Sequence, residues 1–321
     1  MKIKSSIDAL TSDIHLFMNK DELLKKCFEM FKKIDKTIKK KNVSECLSDI
    51  IKNYYDVNNY HNFTHAFEVF QMSFVLIQSE PIKHTLTKNE KLCLLITCLC
   101  HDINHIGISN KSFKDTSFNI KKHIEDMSVN SRKSLDLNIY ENVLLNHEVK
   151  DDIMGISSNS SYNECVHISQ TNLIMGIHLD KLVKFKSLNE RHQFLKTINC
   201  LILSTDVTLH KHFFNVIKER NIDDSLALMT LLIKFSDISH PSRHFTVHAH
   251  WVYNLINENN NINYCSKSID LAYVAEDTIN FVKIYVNPLL NELCRNYKSD
   301  VTDVLEKNIN TNINIWNNYV S

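Results

Sequence analysis

The chain has 321 residues, 43% of them hydrophobic, enough for a sizeable interior. Its 37 Lys and Arg balance 37 Asp and Glu, so the net charge is zero, which argues against a general nucleic-acid or membrane-surface binder. With 3 Gly and 3 Pro it lacks the turn residues that strand-rich folds need, and an all-α domain is expected.

Residues 1–40 read as one or two surface helices with basic ends, and Ser44 to Tyr55 as a short amphipathic helix. His61 to Gln78 reads as a longer helix stopped by Pro81. Thr87-Lys88-Asn89-Glu90 is a capping-box sequence that opens a helix running into His101. Ser134 to about Val149 and Tyr162 to His178 are predicted helical. Ser187-Leu188-Asn189-Glu190 repeats the capping pattern before a helix through Asp206. Asp224 or Ser225 starts a helix that delivers Asp237, with Pro241 marking its end. Asn257-Glu258-Asn259-Asn260-Asn261 reads as a polar loop. Ile269 to Tyr297 is a long helix bent near Pro288, and Thr302 to Tyr319 closes the chain.

Nine Cys occur without a CxxC pair. Cys93, Cys98 and Cys100 lie in an apolar run, where thiols behave as small hydrophobes, and a reducing compartment is expected. The apolar stretch Leu92 to Cys100 is too short to span a bilayer, and the N-terminus, with Lys2, Lys4 and Asp8, does not read as a signal peptide.

Four residues stand out as metal-ligand candidates: His65, His101, Asp102 and Asp237. Each adjoins a strongly apolar run, where an unpaired charge costs several kcal/mol. A divalent cation accounts for all of them, and a mixed His/Asp set suits a metal that activates water. Asp237 ends its helix, where the dipole disfavours a carboxylate unless a cation compensates. Asp102 has two oxygens and so could bridge two metals. His61, four residues before His65, shares its face if both are helical, leaving one ring for metal and one for substrate. His105 is placed for a water or supporting contact.

The motifs His61-Asn62-Phe63-Thr64-His65-Ala66, His101-Asp102-Ile103-Asn104-His105-Ile106-Gly107-Ile108-Ser109-Asn110 and Asp237-Ile238-Ser239-His240-Pro241 resemble the catalytic domain of class I cyclic nucleotide phosphodiesterases. So do Leu203-Ser204-Thr205-Asp206 and the segment from Phe281 through Asn287-Pro288, and all five come in family order over about residues 50–300. The resemblance implies a single compact multi-helix catalytic domain over 1–321, with residues 1–45 as N-terminal helices. It implies His65, His101, Asp102 and Asp237 as ligands of a first metal, usually zinc. A second, usually magnesium with manganese as an alternative, would share Asp102. His61 resembles the general acid. His105, Asn110, Asp206 and His147 resemble supporting groups. Phe281 resembles the aromatic that stacks on the purine, and Trp251, Leu255 and His240 resemble residues lining the nucleotide pocket. The implied reaction is hydrolysis of cAMP, cGMP or both to 5′-nucleotides, ending a cyclic nucleotide signal in the cytoplasm. Another metal-dependent nucleotide phosphohydrolase, or a weakly active nucleotide-binding relative, is the alternative.

Two positions depart from the family pattern. The family's Leu-Glu-Asn-His-His segment matches Val143-Leu144-Leu145-Asn146-His147-Glu148, which puts Leu145 where a Glu is usual. The family's purine-binding glutamine falls on Thr278, whose shorter hydroxyl makes fewer contacts. His178, His192, His210, His212, His244, His248 and His250 read as structural or surface residues.

Overall fold

The computed structural model describes residues 12–114, 119–131, 150–151, 156–157, 161–219, 224–263 and 270–320. In chain order the helices are α1 (Lys20–Ile34), α2 (Lys40–Lys52), α3 (Phe63–Gln78), α4 (Glu80–Lys83), α5 (Lys88–Cys100), α6 (Asn110–Lys114), α7 (Ile120–Ser131) and α8 (Tyr162–Leu182). They continue with α9 (Leu188–Leu203), α10 (His210–Glu219), α11 (Ser225–Asp237), α12 (Phe245–Asn263), α13 (Leu271–Phe281), α14 (Asn287–Asn296) and α15 (Asp300–Val320). A two-residue antiparallel pair, Lys150–Asp151 with Ile156–Ser157, is the sole sheet among the described residues, so the all-α expectation holds.

The helix starts follow local chemistry. Thr87 and Glu90 form the expected reciprocal box, Glu90 N–H donating to Thr87 Oγ1 at 3.3 Å and Thr87 N–H to Glu90 Oε2 at 2.7 Å. At Ser187 the box is half made, because Glu190 accepts from the Lys186 N–H instead. Asp224 and Asp270 cap α11 and α13, each contributing about 1 kcal/mol. Ahead of Pro288 the predicted bend is a π-helical turn, Val282–Val286, between α13 and α14.

The core is built on α3, α5 and α11, which pack on one another. Their side chains are buried nearly all round, as expected of helices surrounded by other helices. Within that core Glu68 meets the Arg243 guanidinium at 2.8 Å and His15 at 3.1 Å, and accepts from the Trp251 indole. Arg243 is fully buried and also donates to Gln71 at 2.9 Å. Glu68→Ala strands that guanidinium, and a loss of about 3–5 kcal/mol in urea unfolding is expected; a loss under about 1 kcal/mol contradicts this account of the pair.

Two sequence expectations change here. The Asn257–Asn261 run is not a loop but lies within α12, which carries Glu258 into the interior. Helix α3 starts at Phe63, with Asn62 as its cap accepting from the Thr64 and His65 N–H groups, so His61 precedes the helix and does not share a helical face with His65. The helix predicted over Ser134 to Val149, with Leu145 and His147, lies outside the described residues. Eight described cysteines are free, seven of them buried. Among the described residues, no helix is long and apolar enough to cross a membrane.

Candidate metal centre and active site

Three core helices deliver four donors to one point. His65 comes from the first turn of α3, His101 caps the C-terminus of α5 with Asp102 next to it, and Asp237 is the last residue of α11. One ligand atom from each lies within 4.8 Å of all the others. Asp237 Oδ1 is 3.2 Å from His65 Nε2 and 3.1 Å from His101 Nε2. Asp102 Oδ2 is 3.1 Å from His101 Nε2 and 3.6 Å from His65 Nε2.

Against the effect of burial, Asp102 and Asp237 push the His101 ring well above the ordinary imidazole range. Both carboxyls are likewise held low despite burial, chiefly by His101. The cluster therefore calls for positive charge. His101 Nδ1 donates to the Cys98 carbonyl at 2.9 Å, which leaves Nε2 as the coordinating nitrogen when the ring is neutral. Two imidazole nitrogens and two carboxylate oxygens at one buried point are a donor set that fits zinc or a similar divalent ion.

Beside this centre sits a second group, His61, His105 and Glu258, also mutually within 4.8 Å. His61 Nδ1 is hydrogen-bonded to Glu258, whose carboxylate also accepts the backbone N–H groups of Tyr60 at 2.7 Å and His61 at 3.0 Å. Burial alone would lower the His61 pKa, but the Glu258 charge raises it to about 9. Its side chain stays 24% exposed, so the protonated ring can be reached. His105 stacks on His61 with centroids 3.8 Å apart, and burial and then the His61 charge push it well below the ordinary range. The turn between them is held by Asn58, which donates to the carbonyls of His61 at 3.0 Å and His105 at 2.7 Å. Gly107 has φ of 72°, and a Cβ there would lie 3.1 Å from Asn58 Oδ1, so glycine is required on both counts.

On the far side Asn110 donates to Glu164 at 2.8 Å and lies 3.5 Å from Asp206, which also accepts from Ser161 at 2.5 Å. Burial and then the Asp206 charge push Glu164 up to about 8. His167 Nε2 is 3.8 Å from Asp102 Oδ1, the carboxylate oxygen that faces away from the four-donor point.

The structure thus brings His61, His65, His101, Asp102, His105 and Asp237 together, with Asn110 and Asp206 in a neighbouring network. Asp237 and Phe281 line one small cleft that opens to solvent. Trp251, expected on the nucleotide wall, is instead 1% exposed, its rings against Tyr60 and His65 and its N–H on Glu68; it buttresses those rings. Leu255 packs behind it with Tyr60. His240 is buried and lies 2.9 Å from His248, Nδ1 to Nδ1. Thr278 is buried and does not line the cleft.

Glu258, Glu164 and His167 were missed from sequence. Trp251, Leu255 and Glu258 recur at helical spacing, which reveals one face of α12 that ends in a carboxylate. Glu164-Cys165-Val166-His167 carries a Glu three residues before a His, the spacing of the family segment that was matched to 143–148 instead.

An all-helical domain that gathers two His and two Asp from three core helices belongs to the metal-site hydrolase class in its chemistry. Residues 60–308 match the family described as 3′5′-cyclic nucleotide phosphodiesterase, and the chain belongs to that family. It is 27% identical over 218 residues to the cGMP-specific 3′,5′-cGMP phosphodiesterase 3 of Dictyostelium discoideum, covering 65% of this chain and 40% of that protein. It is 25% identical over 267 residues to the dual specificity calcium/calmodulin-dependent 3′,5′-cyclic nucleotide phosphodiesterase 1B of Rattus norvegicus, covering 78% of this chain and 42% of the relative. The chain therefore spans well under half the length of these relatives. Its fold matches the phosphodiesterase domain of the Salpingoeca rosetta rhodopsin phosphodiesterase with a TM-score of 0.74 at 21% identity, covering 95% of this chain and 90% of that one.

Proposed function

We propose that this chain hydrolyses 3′,5′-cyclic nucleotides, cAMP or cGMP, to 5′-nucleotides. The observation that carries the reading is the convergence of His65, His101, Asp102 and Asp237 beside a hydrogen-bonded His61–Glu258 pair. Those four residues would hold a first divalent ion, expected to be zinc. Asp102 would also share a second, expected to be magnesium or manganese. Bound metals supply an activated water and neutralise charge on the phosphoryl oxygens.

The chain's own groups do the rest. Glu258 holds His61 protonated and orients it through Nδ1, leaving Nε2 as the nitrogen that can give up a proton. From there His61 donates a proton to the 3′-oxygen as its bond to phosphorus breaks. Phe281 offers an aromatic face to the base. Glu164, in a network with Asn110 and Asp206, offers the acidic group that the sequence reading did not find at Leu145. The free thiols suit a cytoplasmic setting.

Glu258→Gln removes the charge that raises the His61 pKa. Activity that depends on protonated His61 falls as pH rises through that pKa, so the basic limb of the rate profile should move to lower pH, with kcat down at least about tenfold at pH 8. An unmoved limb would contradict the pairing. The reaction itself is tested by running it in heavy-oxygen water and following phosphorus NMR. A 5′-monophosphate labelled on phosphorus is expected; a 3′-monophosphate, or no product, would overturn the proposal.

A further inference from the structure

The two imidazole ligands are held in different ways. His101 is oriented through Nδ1 by its hydrogen bond to the Cys98 carbonyl. His65 is packed against aromatic rings, with the Tyr60 ring at 4.6 Å and the Trp251 ring at 5.4 Å between centroids. Whatever fixes those two rings therefore helps to fix the direction in which His65 presents Nε2.

Part of that support comes from the N-terminal segment. A single 3-10 turn, Ile14–Phe17, packs on α3 ahead of α1. Its His15 is 3% exposed, and Nε2 donates to Glu68 Oε2 at 3.1 Å. The Trp251 indole N–H donates to the same oxygen, while Arg243 meets the other. Leu16, next along the turn, packs on the cluster of Tyr60, Val247 and Trp251. One turn thus holds Glu68 with one side chain and the Tyr60–Trp251 pair with the next. A buried His–Glu contact adds little net stability over an apolar pair of the same volume, because both groups must leave water. Its consequence is placement: it fixes the oxygen on which the Trp251 indole hangs.

We propose that residues 12–18 form a strap whose His15 and Leu16 are positioning residues for the metal ligand His65, acting through Glu68, Trp251 and Tyr60. The proposal rests on the reading of His65, His101, Asp102 and Asp237 as metal ligands. It goes beyond that reading by making an N-terminal segment part of the support of the centre. It also changes the reading of residues 1–40 as surface helices, since this part of them reaches the interior.

The test measures zinc affinity of the full chain by competition with a chromophoric chelator, beside urea unfolding of the same proteins. His15→Leu keeps apolar bulk and removes the donor to Glu68; about tenfold weaker zinc binding is expected. His15→Gln retains an N–H donor and should stay within about twofold of the parent. Leu16→Ala leaves the hydrogen bond and loosens the Trp251 cluster, and should weaken zinc about fivefold; it decides the matter if His15→Leu does not fold. Val43→Ala is the control: Val43 is buried in α2, which packs on α1 and α8 and carries no ligand, so stability should fall with zinc affinity unchanged. Parent-like zinc affinity in His15→Leu and Leu16→Ala overturns the proposal. So does an equal loss in Val43→Ala, which would make affinity follow stability alone, or a glutamine that does no better than leucine. A parent protein that binds zinc but hydrolyses neither cyclic nucleotide sinks the proposed function and leaves this test standing, because zinc is its readout. A parent that takes up no zinc overturns the strap together with the ligand set.

Discussion

Asp237→Ala is expected to lower turnover by at least about 10³-fold, equivalent to several kcal/mol of lost transition-state stabilisation. The carboxylate lies within 3.2 Å of both His65 and His101, so its loss removes one of two anionic donors and the only one that touches both rings this closely. The site would keep two imidazoles and Asp102, too little charge to hold a divalent ion firmly. Elemental analysis of the purified variant should show depleted metal alongside a cooperative unfolding transition. Unchanged zinc and magnesium content would remove Asp237 from the ligand set.

His61→Ala is expected to separate binding from chemistry. The ring is not among the four donors, so metal content should match the parent protein. Without a proton donor, kcat should fall by about 10² or more, the usual contribution of a positioned acid. KM should change little, because Phe281, the residue proposed to face the base, is untouched. Normal turnover in this variant would take His61 out of the reaction. A fall in metal content would show that it belongs to the ligand cluster.

The two predictions differ because the sequence carried the two groups differently. His101-Asp102 and Asp237 stood out where apolar runs end in groups that do not tolerate burial, and the core helices bring those run ends to one point. The helical class was legible for a similar reason, since few Gly and Pro leave little scope for strand turns. His61 was legible as a residue but not in its geometry, because Asn62 caps α3 and turns the preceding backbone out of the helix. Glu258 was hidden in an asparagine-rich run whose composition suggests a loop, whereas its spacing from Trp251 and Leu255 places it on the buried face of α12. Composition reports average polarity, while spacing reports which face is buried. Glu164 was obscured by the better local match at 143–148; its spacing from His167 is a weak signal by itself, and its hydrogen bond from Asn110 and closeness to Asp206 add the spatial one.

The most direct test is hydrolysis of cAMP and cGMP in parallel by the purified protein with Mg²⁺ or Mn²⁺, with Asp102→Ala as control. Asp102 is the carboxylate with one oxygen toward His65 and His101 and the other toward His167. Metal-dependent release of 5′-nucleotide by the parent protein, lost in the variant, is the predicted result and ranks the two substrates. A folded, metal-loaded parent protein that turns over neither cyclic nucleotide would contradict the assigned function.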